Sequence, residues 1–93
     1  MEYQDKNNFQ TFDFSLAIYL FAKGIILLGL RQIANTNRFL FVFQKSKNIN
    51  SLIQEFWSGQ AKIEPLKLFS AERELKKRLY SDSYKFIRSD NVK

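Results

Sequence analysis

The chain has no cysteine, no histidine, a single proline and three glycines among its 93 residues. Without cysteine there is no disulfide and no thiolate metal site, so a fold this small must hold by packing alone. Without histidine the commonest general base and the commonest metal ligand are both missing. Acid is unevenly spread, and residues 14–54 contain no Asp or Glu at all. An oxygen-ligated cation needs clustered carboxylates, so no metal site is expected.

Long hydrophobic runs are also missing. The most apolar segment, LAIYLFAKGIILLGL at residues 16–30, is about fifteen residues long and is broken by Lys23 and two glycines. A membrane-spanning helix needs roughly twenty apolar residues, so no integral span is expected. The opening MEYQDKNNFQTF is polar and carries acid, unlike a signal peptide. A cytoplasmic location is the resulting expectation.

The same scarcity argues against catalysis. Nucleophilic chemistry needs an activated nucleophile with a base in reach, and no serine here sits in a glycine-rich elbow. Glu72 and Glu74 diverge by about 200° around a helix, so they make no carboxylate pair. No glycine-rich phosphate loop is present. The reading is of a protein that is not an enzyme and takes no cofactor.

What remains is aromatic and basic. Ten residues are Phe, apolar residues make up 45% of the chain, and the formal charge is +6. The first two facts describe a folded domain with a dense core. The third points to nucleic acid, an anionic membrane surface or an acidic protein as partner.

Local signals divide the chain into a polar N-terminal lead-in (1–10), a single domain (11–80) and a flexible basic tail (81–93). Asp13 is a good N-cap for a helix reaching about residue 23, with Gly24 suited to the left-handed position that ends it. IILLGLRQI and RFLFVFQ flank the turn chemistry of Ala34, Asn35, Thr36 and Asn37 and read as an antiparallel hairpin. A two- or four-residue loop places Ile33 opposite Arg38. One face then carries Ile26, Leu28, Leu30, Gln32, Phe39, Phe41 and Phe43. The other carries Ile25, Leu27, Gly29, Arg31, Ile33, Arg38, Leu40 and Val42. Ile49, Leu52, Ile53, Phe56 and Trp57 recur at helical spacing up to Gly59. Pro65 opens a third helix, with a stripe of Leu68, Ala71, Leu75 and Leu79 and with Glu72–Lys76 and Glu74–Arg78 in the favourable i,i+4 order. The expected fold is a small α+β domain of order αββαα, one hairpin packed by three helices. A hairpin alone has free edges, and its extension by dimerisation is the accompanying expectation.

Four cations in the acid-free stretch, Arg31, Arg38, Lys45 and Lys47, are the candidate contacts to nucleic-acid backbone, with Lys23 part of the same run. The competing reading is a solvated rim that keeps an edge-rich hairpin soluble. The alternate phenylalanines of RFLFVFQ suggest a base-stacking strand, but the glycine of the RNA-recognition signature is absent and the order of elements differs. A core strand or a dimer interface is the plainer reading. Trp57 belongs to an apolar stripe, as a core residue or as an interface anchor. Leu40 and Val42, on the less apolar hairpin face, complete a candidate protein-binding surface. A homodimer or another protein is then the partner, and an interaction module without nucleic acid is the alternative function.

Taken in order, Thr11-x-Asp13, Leu16-Ala17, Leu20, Ala22-Lys23-Gly24, Phe41-Val42-Phe43, Phe56-Trp57-x-Gly59, Pro65, Phe69, Leu75-Lys76 and Leu79-Tyr80 form a pattern. It resembles a family of small uncharacterised domains of bacterial, phage and mobile-element genomes. The resemblance spans residues 11–80 and implies a helix–hairpin–helix–helix unit. It brings no catalytic residue and no cofactor, and it mildly favours work in a nucleoprotein assembly.

Overall fold

In the computed structural model the backbone is described for residues 2–4, 8–36 and 38–91, and side chains for 8–36 and 38–80. Four strands and three helices follow one another as β1 (Glu2–Gln4), β2 (Asn8–Thr11), α1 (Phe14–Ala22), β3 (Leu27–Gln32), β4 (Phe39–Gln44), α2 (Ile49–Ser58) and α3 (Pro65–Asn91). The strands form one antiparallel sheet in the order β1-β2-β4-β3. The α+β class and the three expected helices are present.

The order differs from αββαα at the front. Residues 8–10, read from sequence as part of a polar lead-in, belong to a strand that pairs with β4, matching Phe9 with Phe43 and Thr11 with Phe41. β4 therefore has neighbours on both sides, and the edge that a lone hairpin would leave open is filled by the chain itself. The reason is apolar content at alternate positions: Phe9 and Thr11 are almost completely buried while Asn8 and Gln10 are half-exposed. Period-two alternation of this kind marks a half-buried strand.

At the other end, α3 continues to Asn91, beyond residue 80 where a loose tail was expected. The extension contains neither glycine nor proline to stop it.

The two shorter helices end as their sequences indicate. Asp13 accepts a hydrogen bond from the backbone N–H of Leu16 at 3.0 Å, capping α1. After Lys23, Gly24 adopts φ +94°. The N–H of Ile25 reaches the carbonyl of Leu20, and that of Gly24 reaches Phe21. This paired arrangement satisfies carbonyls that the helix end would orphan. Gly59, at φ +80°, closes α2 in the same way, with Gln60 N–H bonded to the carbonyl of Glu55. Asn48 precedes α2, its side chain accepting from Ser46.

The hairpin turn also follows expectation, with the N–H of Ile33 on the carbonyl of Arg38 and Asn35 in the left-handed region. Farther down the hairpin, the expected division of faces fails. Leu27, not Leu28, pairs with Phe43, and Gly29 pairs with Val42, so one extra residue bulges from β3. The bulge exchanges the faces of everything before it. Ile25 is buried and Leu27 joins the core, while Ile26 and Leu28 are exposed. Glycine inside a strand often marks such a bulge.

All three helices pack on one side of the sheet. Leu16, Ala17 and Leu20 of α1, Ile49 and Leu52 of α2, and Ala71 and Leu75 of α3 form one cluster with Phe9, Phe41 and Phe43. Phe41 and Phe43 thus serve as core, and Phe39 is only partly covered. Tyr19 is 2% exposed. Its hydroxyl donates to Glu55 of α2 at 3.1 Å and accepts from the backbone N–H of Lys62, pinning α1 to α2 and to the link before α3. Burial, followed by the Glu55 hydrogen bond and charge, pushes the Tyr19 phenol above its ordinary pKa.

Candidate nucleic-acid interface

The face of the sheet opposite the helices is defined by register. β2 contributes Asn8 and Gln10, β4 contributes Leu40, Val42 and Gln44, and β3 contributes Gly29 and Arg31, which pairs with Leu40. None of the residues of β2, β3 or β4 is acidic. Leu40 and Val42 are only 5% and 9% exposed and lie outside the helical cluster. Both are on an inner strand, with Arg31 beside Leu40 and Gln10 beside Val42, so neither presents an open apolar surface. Among the described side chains, the groups that do reach out from this face are amides and a guanidinium.

Arg31 and Arg38 come together at the turn end of the sheet, two cross-strand pairs being enough to connect them through Leu40 and Ile33. Both are exposed. Arg38 is held at two points. Its backbone N–H donates to the Thr36 hydroxyl at 3.1 Å, and that hydroxyl donates to the carbonyl of Ile33 at 2.8 Å. Its guanidinium lies over the Phe12 ring, 4.2 Å from the centroid. Stacking of this type steadies the guanidinium plane and leaves its N–H edge free to donate.

Lys45 and Lys47 lie at the opposite end, just past the last residue of β4. Six residues of extended chain, seven steps, separate Arg38 from Lys45, a span of roughly 23 Å. The sequence run of cations is therefore two clusters at the ends of one strand, not a single patch. Lys23 is drawn toward the helical layer, its ammonium 5.6 Å from the Tyr19 ring centroid.

The helical layer carries charge of both signs. Glu55, Glu64, Glu72 and Glu74 all belong to it or to its links. Lys76 pairs with Glu72 at 3.1 Å and Arg78 with Glu74 at 3.5 Å, as their spacing indicates, and Arg78 also lies over Phe21. These cations are largely engaged at home. Trp57 stands on α2 at 54% exposure, edge-on to Phe56. Its stripe turns out of the core at that point, so the expectation of a buried Trp57 is not met. Leu66 and Phe69, at the start of α3, are exposed as well.

One cavity joins the two layers at the turn end. It has a volume of about 200 Å³ and is lined by Phe12, Phe14, Arg38, Phe39, Phe41 and Leu79. Phe12 and Phe14 escaped sequence reasoning. They fall between the positions of the Phe9–Thr11 alternation, so strand periodicity gave no signal for them. Among the described residues no group of three or more acidic side chains is placed to hold a metal ion, and no helix is long and apolar enough to cross a membrane.

A family model described as "Domain of unknown function (DUF5659)" matches residues 6–81. The chain belongs to that family. No curated protein matches it, and no solved structure does.

Proposed function

We propose that this family member is a small non-enzymatic binding protein whose helix-free sheet face contacts nucleic-acid backbone. The observation that carries the reading is the segregation of charge: three strands without an acid, bounded by Arg31 and Arg38 at one end and Lys45 and Lys47 at the other. Phosphate contacts supply most sequence-independent affinity. The amides of Gln10 and Gln44 on the same face add donors suited to phosphate and sugar oxygens. The span between the clusters corresponds to about seven steps of a nucleic-acid strand at 3.4 Å each. The protein would serve as an accessory subunit of a nucleoprotein assembly, in the cytoplasm of a bacterium or in the service of a mobile element.

The test is titration of labelled DNA and RNA with the intact protein between about 50 and 200 mM salt. Micromolar or tighter binding that weakens steeply with salt, and is lost when Arg31, Arg38, Lys45 and Lys47 are all changed to Gln, supports the proposal. Absence of binding at the lowest salt refutes it.

A second reading, a protein-interaction module without nucleic acid, draws on one observation: the half-exposed Trp57 backed edge-to-face by Phe56. Large aromatic side chains dominate protein interfaces. A Trp57→Ala variant that abolishes capture of a partner while leaving nucleic-acid titrations unchanged would favour it.

A further inference from the structure

The cavity at the turn end combines features that backbone contact alone does not use. Its walls are mostly aromatic, and its mouth carries the exposed Arg38. Phe39 and Phe14 are only partly buried, and Phe14 is itself backed by Phe41, ring centroids 5.6 Å apart and nearly parallel. The nearest acid in sequence, Asp13, is occupied with the N–H of Leu16. The cavity is continuous with the cationic end of the sheet through Arg38, which belongs to both.

Apolar aromatic walls beside a guanidinium match the chemistry of a nucleotide, whose base has two flat faces and whose phosphate has the complementary charge. In a duplex the base faces are stacked on each other, and only backbone and base edges are offered. In a single strand they are free to turn outward onto aromatic rings. We infer that the cavity bounded by Phe12, Phe14, Arg38, Phe39 and Leu79 receives one unstacked base of a single-stranded nucleic acid, whose adjoining phosphate lies on the Arg38 guanidinium. The inference rests on the phosphate-binding reading and sharpens it, because it makes the ligand single-stranded.

Arg38 then has two tasks. Its face is held against Phe12, and its N–H edge donates to phosphate. Phe39 and Phe14 supply the surface for the base. Phe41 contributes only backing, since it is 2% exposed. Stacking tolerates any base, so the cavity selects strandedness and not sequence.

The deciding experiment compares three labelled probes of equal phosphate number on the intact protein: a single-stranded oligonucleotide of about ten nucleotides, the same backbone without bases, and a duplex. Binding is read by fluorescence anisotropy at low salt. The single strand should bind about five- to a hundredfold tighter than the abasic strand, the range expected for one stacked base. Phe39→Leu, which keeps the apolar contacts but removes the aromatic face, should erase that advantage and leave the abasic strand unaffected. Its thermal unfolding, measured alongside, separates lost binding from lost fold. Equal affinity for the single and abasic strands overturns the base-binding inference and leaves the phosphate reading standing. An advantage that survives both Phe39→Leu and Phe14→Leu also overturns it. Failure of every probe to bind removes both readings together.

Discussion

Along β2, β3 and β4 the two faces of the sheet differ in chemistry. Inward, Phe9, Thr11, Phe41 and Phe43 meet the helices and are sealed from water. Outward, Asn8, Gln10, Arg31 and Gln44 remain at least partly open around the buried Leu40 and Val42. Strand geometry enforces the division, since neighbouring residues point to opposite sides. The comparison teaches that stability and binding are written on alternate residues of one short stretch. RFLFVFQ, with its three phenylalanines, does not have a single role: Phe41 and Phe43 hold the core, Phe39 stands at the mouth of a cavity, and Arg38 faces solvent.

Substitutions should therefore separate cleanly by face. The largest effect is expected inward. Phe9→Ala and Phe43→Ala each remove a nearly inaccessible aromatic and should cost about 3–5 kcal/mol in denaturant unfolding. A small loss for Phe9→Ala would mean that β2 is peripheral to the core. Outward, converting Arg31 and Arg38 together to Gln should lower nucleic-acid affinity. The slope of log K against log salt should fall by about 0.7–0.9 for each phosphate that is no longer neutralised. Unfolding free energy should move by no more than about 1 kcal/mol, the share of the Arg38–Phe12 stack. If the pair instead unfolds the protein, the division between faces is wrong.

Two smaller effects sharpen the comparison within the helical layer. Asp13→Ala should lower stability by about 1 kcal/mol through loss of the α1 cap, a change that urea titration resolves. Tyr19 offers a test by pH. Its phenol is raised above the ordinary value of 10.0, so the folded state holds that proton more tightly than the unfolded state. The resulting stabilisation is complete below pH 10 and disappears as pH climbs through the folded-state value. Wild-type unfolding curves should show this alkaline loss, and Tyr19→Phe should lack it. The ion pairs of α3 rank last, with Glu72→Gln expected to change stability by only a few tenths of a kcal/mol.

Features governed by neighbours in sequence were legible before the fold was known. The Asp13 cap, Gly24 and Gly59 at helix ends, the turn around Asn35 and the paired charges of α3 all arise from groups within a few residues of one another. Features set by distant partners were not. Asn8 to Thr11 is too short and too polar to declare itself a strand, and it becomes one because β4 offers an edge. The bulge at Leu28 reverses side chains over several residues, although Gly29 gave a local hint of it. The candidate site was half legible for the same reason. Its cations stood out by the absence of acid around them, but their division into two clusters, and the meeting of Arg38 with Phe12, depend on how the strands are laid side by side.

The position of β2 has a consequence for how the protein is made. The strand leaves the ribosome ahead of α1, yet the edge it must join is supplied by β4, on the far side of both α1 and β3. Phe9 waits without Phe43 until the hairpin has been synthesised and closed. Contacts separated this widely along the chain slow folding, and an unpaired strand carrying Phe9 is exposed to other chains meanwhile. The helix that follows it can form at once by local bonds alone. β2 can join the sheet only once β4 exists, so the short stretch ahead of the first helix, which looks the most dispensable, is tied to the second half of the domain.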